Sequence, residues 1–331
     1  MTDLVTGASG FVGSAVARAL VAAGREVRVL LRAGSDRRNV AGLDLEVVEG
    51  DLTDRQSLGR ALRGCTALYH LAADYRLWAL DPQSLYRVNV DATTTLMQLA
   101  AEAGVARIVY TSSVAALGLT GDGSPADETT PARLEAMIGH YKRSKYLAEQ
   151  AVRRQIQEDG LPIVIVNPSA PVGPRDVKPT PTGRMIVEAA MGAMPAFVDT
   201  GLNLAHVDDI AAGHLLAFEK GEIGEGYILA GENLTLAEIL GDIAAICGRR
   251  PPRLKIPHNM LWPLAYGAEG WARLRRANTE PFITLDGLRM SKKRMFFSHA
   301  KAAASLGYKP RPARQGLEDA IAWFRKEGYL S

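Results

Sequence analysis

Between a short apolar stretch, Asp3–Thr6, and a helical stripe of apolar residues over Phe11–Ala23 lies Gly7-Ala8-Ser9-Gly10-Phe11-Val12-Gly13. Three glycines at every third position, placed where a strand turns into a helix, leave few folds open. The turn is tight enough to need glycine, and the bare backbone lets a bound group come close. The helix N-terminus then presents N–H groups that have no partner inside the helix. A pyrophosphate suits such a corner, and the strand–turn–helix context is what gives a glycine triplet that meaning. The spacing is GxxGxxG rather than GxGxxG.

The pattern that starts there continues along the first half. Short apolar runs at Val27–Leu31, Leu45–Glu49, Ala67–Leu71, Arg107–Thr111 and Leu161–Asn167 alternate with helical periodicity at Ser57–Leu62, Ser84–Ala103 and Tyr141–Asp159. Alternation of this kind predicts an α/β fold, a Rossmann-type doubly wound parallel sheet. Beyond Pro168 a stretch of prolines and glycines runs irregularly to Pro181. Shorter elements follow: helices near Gly183–Met194, His206–Glu219, Leu236–Cys247 and Ala313–Glu327, and a strand at Tyr227–Leu229. The expected organisation is a dinucleotide-binding unit over 1–168 and, over 169–331, a mainly substrate-binding smaller lobe with elements returning to the sheet. Ligands of such sheets sit at the carboxyl ends of the strands, so the loops after strands should hold the chemistry.

Composition removes several classes of function. At 331 residues, 47% hydrophobic and 23% charged, the chain can bury a large core. Its 39 basic and 36 acidic residues give a net charge of +3, too little to point to nucleic acid. Cys65 and Cys247 are far apart and lack metal spacing, and the six histidines show no HxxxH pair, so no metal is expected. No apolar run approaches the ~18 residues of a membrane span. A strand by Asp3 leaves no room for a leader, so a cytoplasmic protein is expected. Trp262, Tyr266 and Trp271, followed by Arg273, Arg275 and Arg276, read first as a lobe helix packed on the core. The alternative is an interfacial helix giving peripheral contact with the inner face of a membrane.

The residue ending the second strand discriminates between nicotinamide cofactors. An acid there would bind the ribose 2′-hydroxyl of NAD, whereas this chain has Arg32, followed by Arg37 and Arg38. A guanidinium pairs with a 2′-phosphate, so NADP(H) is expected over NAD(H). Asp51 and Leu52, after the third strand, are placed to meet the adenine edge. Leu71, Ala72 and Ala73, ending the fourth, are placed to let the cofactor backbone approach.

Tyr141 and Lys145 lie four apart, on one face of the helix between the fifth and sixth strands, and Thr111-Ser112-Ser113 ends the fifth. With these motifs in this order the sequence resembles the extended short-chain dehydrogenase/reductase family, the NAD-dependent epimerases and dehydratases, over nearly its whole length. That resemblance implies that Tyr141 exchanges a proton with a substrate carbonyl or hydroxyl while hydride moves to or from a nicotinamide. Lys145 would hold the nicotinamide ribose and, with an oxidised ring, lower the tyrosine pKa. It puts the catalytic hydroxyl on Ser113, with Ser112 as competitor, and sets Pro168, Ser169 and Pro171 beside the nicotinamide. Asn89, in a stretch resembling the family's NVxGT helix, reads as structural.

Ala73–Trp78, Asn167–Arg184, His206–Asp209 and Arg289–Lys301 resemble more closely the bacterial hopanoid-associated sugar epimerases, relatives of dihydroflavonol 4-reductases. Tyr75 and Trp78 would wall a substrate pocket, with Arg184, Asn203 and His206 facing it from the smaller lobe. The resulting expectation is an NADP(H)-linked oxidoreductase acting on a carbonyl or hydroxyl of a sugar-like or lipid-linked polyol substrate in hopanoid biosynthesis. A nucleotide-sugar epimerase or dehydratase using tightly bound NAD(P), and a non-catalytic NADP(H) sensor, are the alternatives. Pairing of Val90–Ala103 and Tyr141–Asp159 with their copies would give a homodimer.

Overall fold

A computed structural model describes residues 2–275 and 281–330. Its first half runs β1 (Thr2–Thr6), α1 (Phe11–Ala22), β2 (Glu26–Leu31), β3 (Glu46–Glu49), α2 (Arg55–Leu62), β4 (Cys65–His70), α3 (Gln83–Tyr86), α4 (Thr93–Glu102), β5 (Arg107–Thr111), α5 (Gly139–Asp159) and β6 (Ile163–Pro168). Then come β7 (Ala170–Val172), α6 (Pro181–Met191), β8 (Ala196–Phe197), β9 (Gly201–His206), α7 (Val207–Lys220), β10 (Gly226–Leu229), β11 (Glu232–Thr235) and α8 (Leu236–Ile246). The chain ends through β12 (Leu254–Lys255), α9 (Trp262–Leu274), α10 (Leu285–Ser291), β13 (Arg294–Met295), α11 (Ala300–Leu306) and α12 (Ala313–Lys326).

Seven strands form one all-parallel sheet in the order β10-β6-β5-β4-β1-β2-β3. The chain winds outward from β1 to β3, then returns to the other side of β1 with β4. The switch point therefore opens a crevice between the ends of β1 and β4, where such folds bind ligands. Apolar side chains cover both faces, as a parallel sheet requires. Val5, Val29 and Leu31 pack with Val16 and Leu20 of α1, Ile210 of α7 and Leu306 of α11. On the opposite face Leu4, Leu68 and Ile163 pack with Leu58, Leu96 and Val152 of α2, α4 and α5. Three elements from beyond Pro168 join this sheet: β10 pairs with β6, α7 lies against α1, and α11 packs on α7 and β10.

The sequence reading differs in three places. The helix expected over Ser84–Ala103 is broken, because Arg87–Ala92 forms a wider π turn between α3 and α4. The buried Asn89 in that turn bonds outside its own helix, which a regular α turn would not allow as readily. Strands β7, β9, β11 and β13 are all absent from the sequence pattern, and together they form a second sheet. Polar Asn203 and His206 obscured β9, although both are buried. The third difference is α9, whose Tyr266 and Trp271 side chains face outward.

Candidate active site

Local sterics build the glycine corner. Gly7 sits at φ +77°, and a Cβ there would fall 2.7 Å from the Ala72 nitrogen. A Cβ on Gly13 would fall 2.1 Å from the Gly7 oxygen, so the first turn of α1 can lie on the loop only without one. Gly10 N–H donates to the Gly7 carbonyl at 2.9 Å and offers no side-chain cap to α1. The N–H groups at Phe11 and Val12 are left for an external acceptor. This cradle, which any side chain would fill, suits a dinucleotide pyrophosphate. Asn39 Nδ2 anchors it by donating to the Ser9 carbonyl at 3.1 Å.

A buried chain of hydrogen bonds ties the two sides of the crevice. Thr6 Oγ1 accepts from Leu71 N and Ala72 N, both at 3.2 Å. Its own proton therefore goes to His70 Nδ1 at 2.7 Å, which leaves Nε2–H to donate to Thr93 Oγ1 at 2.9 Å. Burial pushes the His70 pKa down to about 3, so the ring is neutral. Sequence reasoning missed this histidine, because its partners lie 64 and 23 residues away.

Arg32 follows β2 and is exposed, and its side chain makes no hydrogen bond or ion pair with a described residue. Its charge nevertheless helps hold the Asp51 and Asp74 carboxyls below the usual range, behind their larger hydrogen-bond contributions. Arg37 is paired with Glu49 and Arg38 with Asp36, so these two are already neutralised. Asp51 turns its carboxylate to Thr53 N and Oγ1 at 2.8 and 2.6 Å, and Leu52 is half-buried beside it.

The hydroxyl, phenol and ammonium expected at the reaction centre converge at the ends of β5 and the start of α5. Ser113 is extended and caps the turn over Val114–Ala116, its Oγ accepting from Ala115 N at 3.1 Å. That hydroxyl faces the Tyr141 phenol, whereas Ser112 points its buried hydroxyl toward Tyr110. Alternation along the strand end separates the two serines. Burial holds the Tyr141 phenol above its ordinary pKa, with only Ser113 opposing. Lys145 Nζ, one helical turn on from Tyr141, donates to the Thr111 carbonyl at 2.9 Å. Burial takes Lys145 down to about 8, opposed by the charge of Glu149 one turn on.

Glu149, buried, was not singled out from sequence. It binds Arg153 and accepts from Asn167 Nδ2 at 2.8 Å, and Asn167 also donates to the Ser113 carbonyl at 3.2 Å. Asn89 Nδ2 donates to Ser144 Oγ at 2.9 Å and to the Asp74 carbonyl at 2.8 Å. The serine, the helix of Tyr141 and the loop after β4 are thus locked to each other by neutral amides. Past Pro168, Ser169 is buried with an unpartnered Oγ, a donor and acceptor free for a carboxamide. Pro171 lies on β7 opposite Ala205.

A family model described as "NAD dependent epimerase/dehydratase family" matches residues 4–230, more than half of the chain. The chain belongs to that family. This epimerase/dehydratase-family chain is 44% identical, over 98% of its length and 95% of the relative's, to a Synechocystis protein named "Putative dihydroflavonol 4-reductase". It is 37% identical, over the full length of both chains, to the sterol demethylase protein B of Methylococcus capsulatus. Among solved structures, that of gox2253 superposes with a TM-score of 0.90 at 55% identity, covering 100% of this chain and 99% of that one. The chain is thus an NAD(P)-dependent oxidoreductase or epimerase of the extended short-chain type.

Of the substrate residues expected in this epimerase/dehydratase-family chain, some line the crevice and some do not. Tyr75 is 44% exposed and lies within electrostatic reach of Arg184 on α6 and of the buried Asp176. Trp78 sits in the same loop, with the Arg273 guanidinium 5.8 Å from its ring. Asn203 is spent on structure: it bonds Asn233 Oδ1 and the Gly231 backbone, accepting from its N–H at 2.8 Å. His206 caps α7 by accepting from Asp208 N at 3.0 Å and binds Asp319 through Nε2 at 3.1 Å. Both are buried on β9, where a polar group must find protein partners: Asn203 finds them on β11 and its turn, His206 on α7 and α12. Among the described residues no three His, Cys, Asp or Glu side chains cluster to hold a metal, and Cys65 and Cys247 are free thiols.

Proposed function

We propose that the chain is an NADP(H)-linked reductase of a carbonyl on a sugar-like or lipid-linked polyol substrate of the hopanoid kind. The observation that carries this is Arg32: at the strand end that decides the cofactor there is an exposed arginine with no acid of its own. A 2′-phosphate is the partner it lacks. Phe11, Val12 and Gly13 N–H groups, with Gly7, Ser9 and Gly10 shaping the loop, would take the pyrophosphate. Asp51 and Leu52 would meet the adenine, and Leu71, Ala72 and Ala73 the cofactor backbone. Pro168, Ser169 and Pro171 would bound the nicotinamide. A bound reduced nicotinamide supplies the hydride.

The residues of the chain do the rest. Tyr141, kept protonated by burial, donates its phenolic proton to the carbonyl oxygen as charge develops there, and Ser113 gives that oxygen a second hydrogen bond. Lys145 carries positive charge into the same corner and moves from the Thr111 carbonyl to the cofactor ribose. We assign 1–168 to cofactor binding and 169–331 mainly to substrate. The named relatives, a dihydroflavonol reductase and a sterol-processing protein, support reduction and a polycyclic substrate. The family description favours a second reading, an epimerase that reoxidises its own cofactor.

Turnover separates them. A reductase consumes NADPH in proportion to carbonyl added, whereas an epimerase converts substrate with no net change in absorbance at the reduced-nicotinamide band. Tyr141→Phe should lower kcat by about 10²–10⁴ and leave the NADPH dissociation constant unchanged. Unchanged turnover by that variant sinks the assignment of the acid.

A further inference from the structure

The segment from Arg249 to Arg294 is unlike the rest of the chain. It carries eleven Lys and Arg against three Asp and Glu, a net +8, so the remaining residues of this +3 chain sum to −5. The same segment holds most of the exposed large apolar side chains. Of the twelve found among the described residues, seven lie between Leu254 and Phe282.

Helix α9 explains why they point outward. Its buried side chains are Ala265, Glu269 and Ala272, a strip of two small residues and one carboxylate, with Trp262 and Ala268 half-buried beside it. Glu269 fastens that strip by accepting from Leu285 N at 2.6 Å. Leu264, Trp271 and Leu274 recur at spacings of seven and three on the far side, between 49% and 76% exposed. The neighbouring pieces are held to it as one surface. Lys292 Nζ lies 5.0 Å over the Trp262 ring, and His258 Nε2 bonds the Ser291 carbonyl at 3.0 Å. Arg275 lies 4.2 Å from the Trp271 ring, so cations and aromatic rings interleave. Arg276, part of the same run in sequence, lies outside the described residues.

We propose that this face of α9 is a docking surface for an anionic lipid bilayer. Aromatic and aliphatic side chains backed by arginine and lysine match the boundary between acyl chains and negative headgroups. A second copy of the chain fits poorly, because an isologous contact would bring the cations of this face, Arg273, Arg275 and Lys292, against their own copies. Contact is peripheral: no helix among the described residues is long and apolar enough to cross a membrane. The face also adjoins the crevice, since Arg273 stacks on Trp78 of the loop after β4. A lipid-borne carbonyl substrate would therefore enter from the bilayer; this last step rests on the reductase reading, and the docking itself does not.

Vesicle flotation tests it with the full chain. Phosphatidylcholine vesicles containing about one-third phosphatidylglycerol should carry the protein, and pure phosphatidylcholine vesicles should bind at least about tenfold more weakly. Trp271→Ser with Leu274→Ser, and separately Arg275→Gln with Lys292→Gln, should each lower binding by about tenfold or more. All of these residues lie outside the catalytic and cofactor residues, so melting temperature and NADPH affinity serve as fold controls. Folded wild-type protein that floats with neither vesicle overturns the proposal. So does sedimentation showing that Trp271→Ser with Leu274→Ser turns a dimer into a monomer without affecting flotation. No cofactor or substrate is needed, so loss of the reductase reading and loss of this one are separately visible.

Discussion

Replacing Arg32 with alanine should separate the two nicotinamide cofactors. The side chain has no hydrogen bond or ion pair with a described residue, so the substitution removes only its through-space effect on Asp51 and Asp74 in the unliganded protein. Arg37 and Arg38 differ, since removing either strands Glu49 or Asp36. A hydrogen bond to a charged group is worth about 1.5–3 kcal/mol. The site is exposed, so solvent screening places the expectation near the bottom of that range, about 1.5 kcal/mol, or roughly tenfold in affinity. NADPH fluorescence, titrated against wild type and Arg32→Ala, should show that loss, with NADH affinity changed by less than about twofold. High salt should shrink the difference. If NADPH and NADH weaken equally, Arg32 does not read the 2′-phosphate and the reasoning fails. A larger effect from Arg37→Ala than from Arg32→Ala would also refute it.

Other outcomes follow from single contacts. Gly13→Ala puts a Cβ 2.1 Å from the Gly7 oxygen, so α1 must shift at a cost of about 1–3 kcal/mol. Thermal melting and NADPH titration should both register it. Burial raises the Asp176 carboxyl to about 6, with Thr180 opposing, so its contribution to stability is present at low pH and lost as pH rises through about 6. Asp176→Asn should therefore gain stability relative to wild type between pH 4 and pH 7, which denaturant midpoints across that range will show. His214 is held down to about 4 by burial, so wild type loses stability as pH falls from about 6.5 toward 4. His214→Asn should remove up to about 1.4 kcal/mol per pH unit of that slope, and an unaltered slope would mean that the ring is already charged in the fold.

What was legible in the sequence was whatever is encoded in contiguous residues. The Gly7–Gly13 corner, the pairing of Tyr141 with Lys145 on one helix face, and Arg32 at a strand end depend on local sterics and period. Each reappears at its expected place in the parallel sheet. Tertiary structure decided the choices among partners far apart in the chain. It sent Asn203 to Asn233 on β11 and His206 to Asp319 on α12, not toward the crevice. It linked Thr6, His70 and Thr93 across the switch point, and Glu149 to Ser113 through Asn167. It also engaged Lys145 with the Thr111 carbonyl, 34 residues back in the chain. Periodicity likewise shows that α9 has an apolar side, but its buried strip is Ala265, Glu269 and Ala272. Amphipathic pattern fixes which residues share a face of a helix. Whether that face meets protein or solvent depends on what the rest of the chain packs against it.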